Sequence, residues 1–269
     1  MTSSTRCILL GTGSSGGVPR VGGDWGACDP TERKNRRRRC SILLEKRSGE
    51  GGLTSVLIDT SPDLREQLLD AGVTHLDALV YTHEHADQVH GIDDVRPLVI
   101  RRRAALPTFM NARTREILTQ RFDYCFEGKG GYPPILDIQP DIEPGVPFTV
   151  SGSGGDLTLL PFDMEHGRIR CLGFRVGDFA YCNDVSDLPD AAMAALRGLD
   201  TLVIDALRYT DHPTHANVAR ALEWIADLKP KHAVLTNMHV DLDYATLKRV
   251  LPAGVEPGFD GMVLDIQSA

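Results

Sequence analysis

The segment T-H-E-H-A-D-Q-V-H-G, Thr82 to Gly91, sets three histidines and an aspartate within ten residues. His83, His85 and Asp87 alternate directly after the apolar run Ala78 to Tyr81, which reads as a strand. Alternate side chains on extended backbone point the same way, so these three converge at the strand's C-terminal end. Imidazole nitrogens and a carboxylate suit Zn²⁺, Mn²⁺ or Fe²⁺, and a position just past a buried strand makes such a site rigid. Other ligand-type residues follow apolar runs in the same manner: His166 in D-M-E-H-G, Asp184 in C-N-D, and His239 in T-N-M-H. Their shared placement makes each a candidate ligand.

The elements that must hold these residues are short apolar or β-branched runs. Cys7 to Leu10, Ser41 to Leu44, Val56 to Ile58, Ala78 to Tyr81, Leu157 to Phe162, Leu172 to Val176, Phe179 to Cys182, Leu202 to Ile204 and Ala233 to Leu235 are predicted strands. Several are apolar throughout, as strands buried on both faces are. Helices are predicted over Pro62 to Ala71, with Leu64, Leu68 and Leu69 on one face, and over Tyr244 to Leu251. A third runs from a Thr214 cap through Val218, Leu222 and Ile225 until Pro230 ends it, which puts His215 in its first turn. Gly49 to Gly52 and Ser151 to Gly155 read as hairpin loops, Arg101 to Arg103 as a helix end or exposed loop, and Met262 to Ile266 as the last strand. With no repeat and no linker, residues 1–269 are expected to form a single α/β domain.

Composition limits the function. Hydrophobic residues make up 42%, enough for a real core, and 29 Lys and Arg against 37 Asp and Glu argue against wholesale nucleic-acid binding. The cysteines include no C-x-x-C pair, so neither a zinc ribbon nor a disulfide framework is suggested. The N-terminal apolar run ends at Gly11, far short of a membrane span. A soluble cytoplasmic protein is expected, with a homodimer as the default assembly.

Two further motifs bear on substrate. In G-T-G-S-S-G-G, Gly11 to Gly17, glycines permit tight turns whose N–H groups approach a phosphate, making Gly13, Ser14 and Ser15 candidate substrate contacts. The G-x-G-x-x-G spacing does not open a dinucleotide fold, because Val18, Pro19, Gly22 and Gly23 break the helix that should follow. The run Arg36 to Arg39 either steers a phosphate-bearing substrate or forms a solvated loop before Ser41.

The order H-x-H-x-D, distant His, Asp after a strand, late His resembles the metallo-β-lactamase fold hydrolases. L-G-T-G-S-S-G-G-V-P, N-R-R-R-R-C-S-I-L-L-E, L-I-D-T-S-P-D-L-R and H-P-T-H look like its phosphodiesterase branch, which includes the phosphoribosyl cyclic phosphate phosphodiesterases and, more distantly, tRNase Z. The resemblance implies a four-layer αββα sandwich and two divalent ions, Zn or Mn. It implies that His83, His85 and His166 bind the first ion, that Asp184 bridges, that Asp87 binds the second, and that His215 acts beside the scissile phosphate. Gln88 and Asn237 stand where the family usually has second-ion histidines. His239, two residues beyond Asn237, is the candidate late ligand, while His90, two beyond Gln88, lies further into the following loop. Gln88 and Asn237 could themselves coordinate through amide oxygens, which would favour harder ions such as Mn²⁺, and a weaker or differently filled second site is expected. Only Cys28 remains of the family's cysteine-rich zinc clip, which is therefore expected to be absent.

The expected activity is hydrolysis of a small phosphodiester, a cyclic ribose phosphate or nucleotide, by metal-bound hydroxide oriented by Asp87 or Asp184. His215 is expected to hydrogen-bond the phosphate or protonate the leaving oxygen, with its pKa lowered by the helix start. The alternatives are a thioester or lactam hydrolase of the same fold, and a non-catalytic nucleotide- or metal-binding protein.

Overall fold

A computed structural model of the protein describes residues 3–267. Its strands form two seven-stranded sheets. The first runs, in spatial order, β14 (Met262–Ile266), β1 (Ser4–Gly11), β2 (Ser41–Arg47), β3 (Leu53–Ile58), β4 (Ala78–Val80), β5 (Leu106–Phe109) and β6 (Leu136–Ile138). The second runs β13 (Val255–Pro257), β12 (His232–Thr236), β11 (Thr201–Asp205), β10 (Phe179–Cys182), β9 (Ile169–Val176), β8 (Leu157–His166) and β7 (Phe148–Val150).

The predicted strands are continuous apolar runs because each sheet is buried on both faces. Cys7, Leu9, Ile42, Leu44, Val56 and Ile58 point between the sheets, meeting Leu159, Phe174, Val203 and Val234 from the other side. The alternate residues Ile8, Leu10, Leu43 and Leu57 pack outward with Leu64, Leu68, Val99 and Leu118 of the helices Leu64–Asp70, Arg96–Arg102 and Ala112–Arg121. On the far side Leu202, Ile204, Ala233 and Leu235 meet Ala192, Val218, Trp224, Ile225 and Leu247 of the helices Asp190–Ala195, Val218–Leu228 and Tyr244–Val250. Helices, sheet, sheet, helices is the expected αββα sandwich.

Two expectations change. The helix after H-P-T-H starts at Val218, and its cap is Asn217, whose side chain accepts from the Arg220 N–H, so Thr214 and His215 lie in the preceding loop. The strands β5, β6, β7 and β13 and the helix Ala112–Arg121 carry too few apolar residues in sequence to stand out, and packing on the sheets completes them. The two predicted hairpin loops join β2 to β3 and β7 to β8, both antiparallel pairs. Arg101 and Arg102 end a helix that Arg103 closes in the left-handed conformation. Among the described residues no helix is long and apolar enough to cross a membrane.

Parallel pairing sets up the site. β3, β4 and β5 run parallel, as do β10, β11 and β12, so their C-terminal ends lie side by side. Asp59 follows β3, His83 follows β4, Asp184 follows β10, Asp205 ends β11 and Asn237 follows β12. Asp59, Asp184 and Asn237 all have positive φ, at 64°, 56° and 59°. Asp and Asn tolerate this conformation better than most side chains, and it turns each one sharply out of its strand.

Candidate metal centre

His83, His85 and His166 bring nitrogen atoms within 4.8 Å of one another, and His166, Asp184 and His215 form an overlapping group. Two of the three imidazoles are prepared as ligands. Thr82 Oγ1 donates to Asp59 Oδ2 at 2.8 Å, so its lone pair accepts from His83 Nδ1 at 3.0 Å and leaves Nε2 bare. That Nε2 is buried with no hydrogen-bond partner, 3.8 Å from Asp184 Oδ2. His166 donates from Nδ1 to the Thr214 carbonyl at 2.7 Å, which leaves its Nε2 bare, 3.2 Å from His85 Nδ1. That contact is bridged either by a hydrogen on His85 Nδ1 or by a cation between the two nitrogens.

The electrostatics favour a cation. Burial first, then His85 and His166, hold His83 well below the usual imidazole range; burial also takes His166 down to about 4, so both are neutral. Burial drives Asp184 well above the usual carboxylate range, opposed by His215 and reinforced by Asp87, Asp205 and Asp59. Asp59 is raised by burial to about 8. Buried, mutually repelling carboxylates beside bare imidazole nitrogens fit a divalent ion held by His83, His85, His166 and Asp184.

His215 stands beside this group. Its Nδ1 is 2.8 Å from Oδ2 of the fully buried Asp205, which also accepts the Val185 N–H. Burial opposes charge on the ring, but Asp205, that hydrogen bond, Asp184 and Asp87 outweigh it and raise the value to about 9. The expected lowering is therefore reversed. The helix begins too late to act on the ring, and carboxylates surround it instead.

The groups face a cavity of about 920 Å³ lined by Ser15, His85, Asp87, His166, Arg168, Asp184 and His215, among others. Of the glycine motif, only Ser15 reaches it. Gly13 N–H donates to the Arg38 carbonyl and Ser14 N–H to the Met238 carbonyl, so neither is free for a phosphate. Gly11 and Gly13 are needed because the Arg37–Arg39 backbone lies against them: a Cβ on Gly11 would sit 2.0 Å from the Arg39 oxygen. Three of the four arginines in the run are correspondingly structural, while Arg36 is exposed. Arg37 is buried and donates to Asn35 Oδ1, Arg38 pairs with Asp70 and Asp260, and Arg39 pairs with Asp63.

His239 is not brought into either group; its Nδ1 lies 3.0 Å from Asp241 Oδ2, and Asn237 occupies the place beside Asp184. His90 packs edge-on against Phe122 instead. Cys28 lies in a small apolar cluster with Val18 and Val240. Sequence reasoning missed Asp59, Asp205, Asn183 and Arg168. The first two end apolar strands just as Asp184 does, so the same signal was present. Arg168, on the turn after His166, makes no ion pair among the described residues, whereas Arg170 pairs with Asp163 and Glu165.

Known proteins share this architecture. The chain is 35% identical, with a TM-score of 0.87, to the crystal structure of a new diphosphatase from the PhnP family, covering 98% of this chain and 97% of that one. Zinc-bound PqqB from Methylobacterium extorquens (18% identical, TM-score 0.73, 97% and 100% covered) and human tRNase Z, short form (16%, 0.65, 97% and 99%) share the fold. A Porphyromonas gingivalis protein named octanoyltransferase is 35% identical over 262 residues, 96% of this chain; the chain spans about half of that protein, 51%. The beta-lactamase superfamily domain matches residues 54–238, and with its ligand-bearing strand ends inside that span the chain belongs to the beta-lactamase superfamily.

Proposed function

We propose that the protein is a metal-dependent phosphodiesterase acting on a small phosphodiester such as a cyclic ribose phosphate or a nucleotide. The observation that carries the reading is the unpartnered, buried His83 Nε2 converging with His85, His166 and Asp184 at a cavity that also presents His215. A divalent ion, Zn²⁺ or Mn²⁺, would supply a water acidified to a pKa of about 7 and a Lewis acid for the phosphate. The likeness to the PhnP-family diphosphatase along nearly both full chains supports phosphate as the reacting group.

The chain's own residues do the rest. Asp205 holds the His215 ring by Nδ1 and favours its charged form, so His215 binds a phosphate oxygen or gives a proton to the leaving oxygen. Asp87 lines the same cavity and orients the attacking water. Arg168, at the cavity wall and without an ion-pair partner among the described residues, binds a further anionic group of the substrate.

Turnover of bis(p-nitrophenyl) phosphate with Zn²⁺, Mn²⁺ or Fe²⁺ tests the proposal. His83→Ala is expected to abolish both metal content and turnover, and His215→Ala turnover alone. Turnover by His215→Ala at the wild-type rate would remove its proposed role, and no hydrolysis with any of the three ions would favour the binding-protein reading. Acyl chemistry gains one argument from the name of the P. gingivalis relative, of which this chain spans about half. An acyl chain, however, would find only Ala86, Ile169 and Pro213 as apolar side chains among the lining residues.

A further inference from the structure

We propose that this chain holds one divalent ion, not two, and that the side-chain amides of Gln88 and Asn237 replace the second. The inference rests on the metal-binding half of the function proposed above.

Gln88 is fully buried, and its Nε2 donates to Asp184 Oδ2 at 2.9 Å and to Asp87 Oδ2 at 3.2 Å. Asn237, also buried, donates from Nδ2 to Asp184 Oδ1 at 2.8 Å, and the same nitrogen is 3.2 Å from His215 Nδ1. Asn183 adds a third amide, with Nδ2 donating to Asp184 Oδ2 at 3.0 Å. Both oxygens of the carboxylate that would bridge two ions are thus met by N–H groups.

A carboxylate attracts a second cation when its outer oxygen faces other lone pairs. Here Oδ1 faces an amide NH₂, which has no lone pair to share with a metal. The positive ends of the amide dipoles do part of the cation's work, offsetting the charge of Asp184 and Asp87 and fixing their orientation. Beside the two aspartates, His215 is the one further ligand-type group there among the described residues, and its Nδ1 is already held by Asp205 and faces the Asn237 amide nitrogen, which leaves too few ligands to close a site.

The amides cannot simply turn over. Reversal would put Gln88 Oε1 or Asn237 Oδ1 within 3 Å of a carboxylate oxygen, a repulsive contact without an ion between them. The arrangement leaves Gln88 Oε1 buried without a donor. That loss is set against two charge-assisted bonds from the same NH₂ group, each about twice as strong as a neutral one. The residues sit after strands of different sheets, Gln88 beyond β4 and Asn237 beyond β12, yet both are amides aimed at one carboxylate.

The experiment is a metal count on the full chain. After loading with excess Zn²⁺ and desalting, elemental analysis should give one ion per chain, and a Co²⁺ titration followed by its visible absorption should saturate at one equivalent. Two ions per chain would overturn the single-ion inference and leave the metal-dependent function standing. None would overturn both. The double variant Gln88→His, Asn237→His should raise the native-mass count to two. A folded double variant that still holds one ion would overturn the role assigned to the amides, and if it fails to fold the wild-type count decides alone.

Discussion

Asp205 Oδ2 lies 2.8 Å from His215 Nδ1, from a carboxylate that is itself fully buried. The pair fixes the ring's orientation and raises its pKa to about 9. As a proton donor, His215 is active while protonated, so kcat should fall on the alkaline side as the ring loses its proton. In Asp205→Asn the raising charge is gone and the decline should begin at lower pH, with kcat down about 10–100-fold and metal content unchanged. A pH–rate profile of both proteins checks this.

Asp59→Asn should weaken metal binding without touching the ion directly. Asp59 accepts the Thr82 N–H on one oxygen and the Thr82 hydroxyl on the other. Whichever way the new amide turns, its NH₂ meets a donor. If it faces the hydroxyl, Thr82 turns its proton toward His83 Nδ1, and the ring must carry hydrogen on Nε2. The expected loss of affinity is about 10–100-fold, measured by competition with a chelator.

Arg168→Ala should separate substrates by charge. The side chain is exposed at the cavity wall, so solvent weakens its interaction, and a loss near 1 kcal/mol corresponds to about a fivefold rise in KM. The rise is expected for nucleotides bearing a second anionic group and not for bis(p-nitrophenyl) phosphate. Equal effects on both would remove Arg168 from substrate recognition.

Asp243→Ala should cost stability only. Asp243 caps the helix Tyr244–Val250 through the Thr246 N–H and also accepts from Asn35 Nδ2 at 2.7 Å. Loss of such a cap costs about 1 kcal/mol, readable by urea denaturation at neutral pH. Burial raises this carboxyl, but the Asn35 and Thr246 hydrogen bonds prevail and take it from 3.8 to about 2. Its contribution is therefore complete above 3.8 and lost as pH falls toward 2. The gap between wild type and variant should close over that window.

The sandwich was legible because its strands are buried on both faces, and continuous apolar runs such as Phe179–Cys182 coincide with β10. Edge strands such as β6, where only Leu136 is buried, left no such trace. At the site, strand-end position singled out His83, His166 and Asp184, which the fold brings close together. It failed for His239, because the left-handed turn at Asn237 breaks the alternation that would return a residue two positions on to the same face. The arginine run misled for a different reason: a charge pattern does not say whether carboxylates such as Asp63, Asp70 and Asp260 lie opposite.

His83 and His85 belong to the first sheet's edge, His166 and Asp184 to the second's. An ion shared by all four would thus cross-link the halves of the sandwich, beside the backbone tie that Met238 and Ser14 already make. Loading the site should act as a staple on the whole molecule: at a hundredfold excess over Kd, binding to the native state alone adds about 2.7 kcal/mol. A chelator would then work as a mild denaturant, and thermal stability would track the free metal concentration.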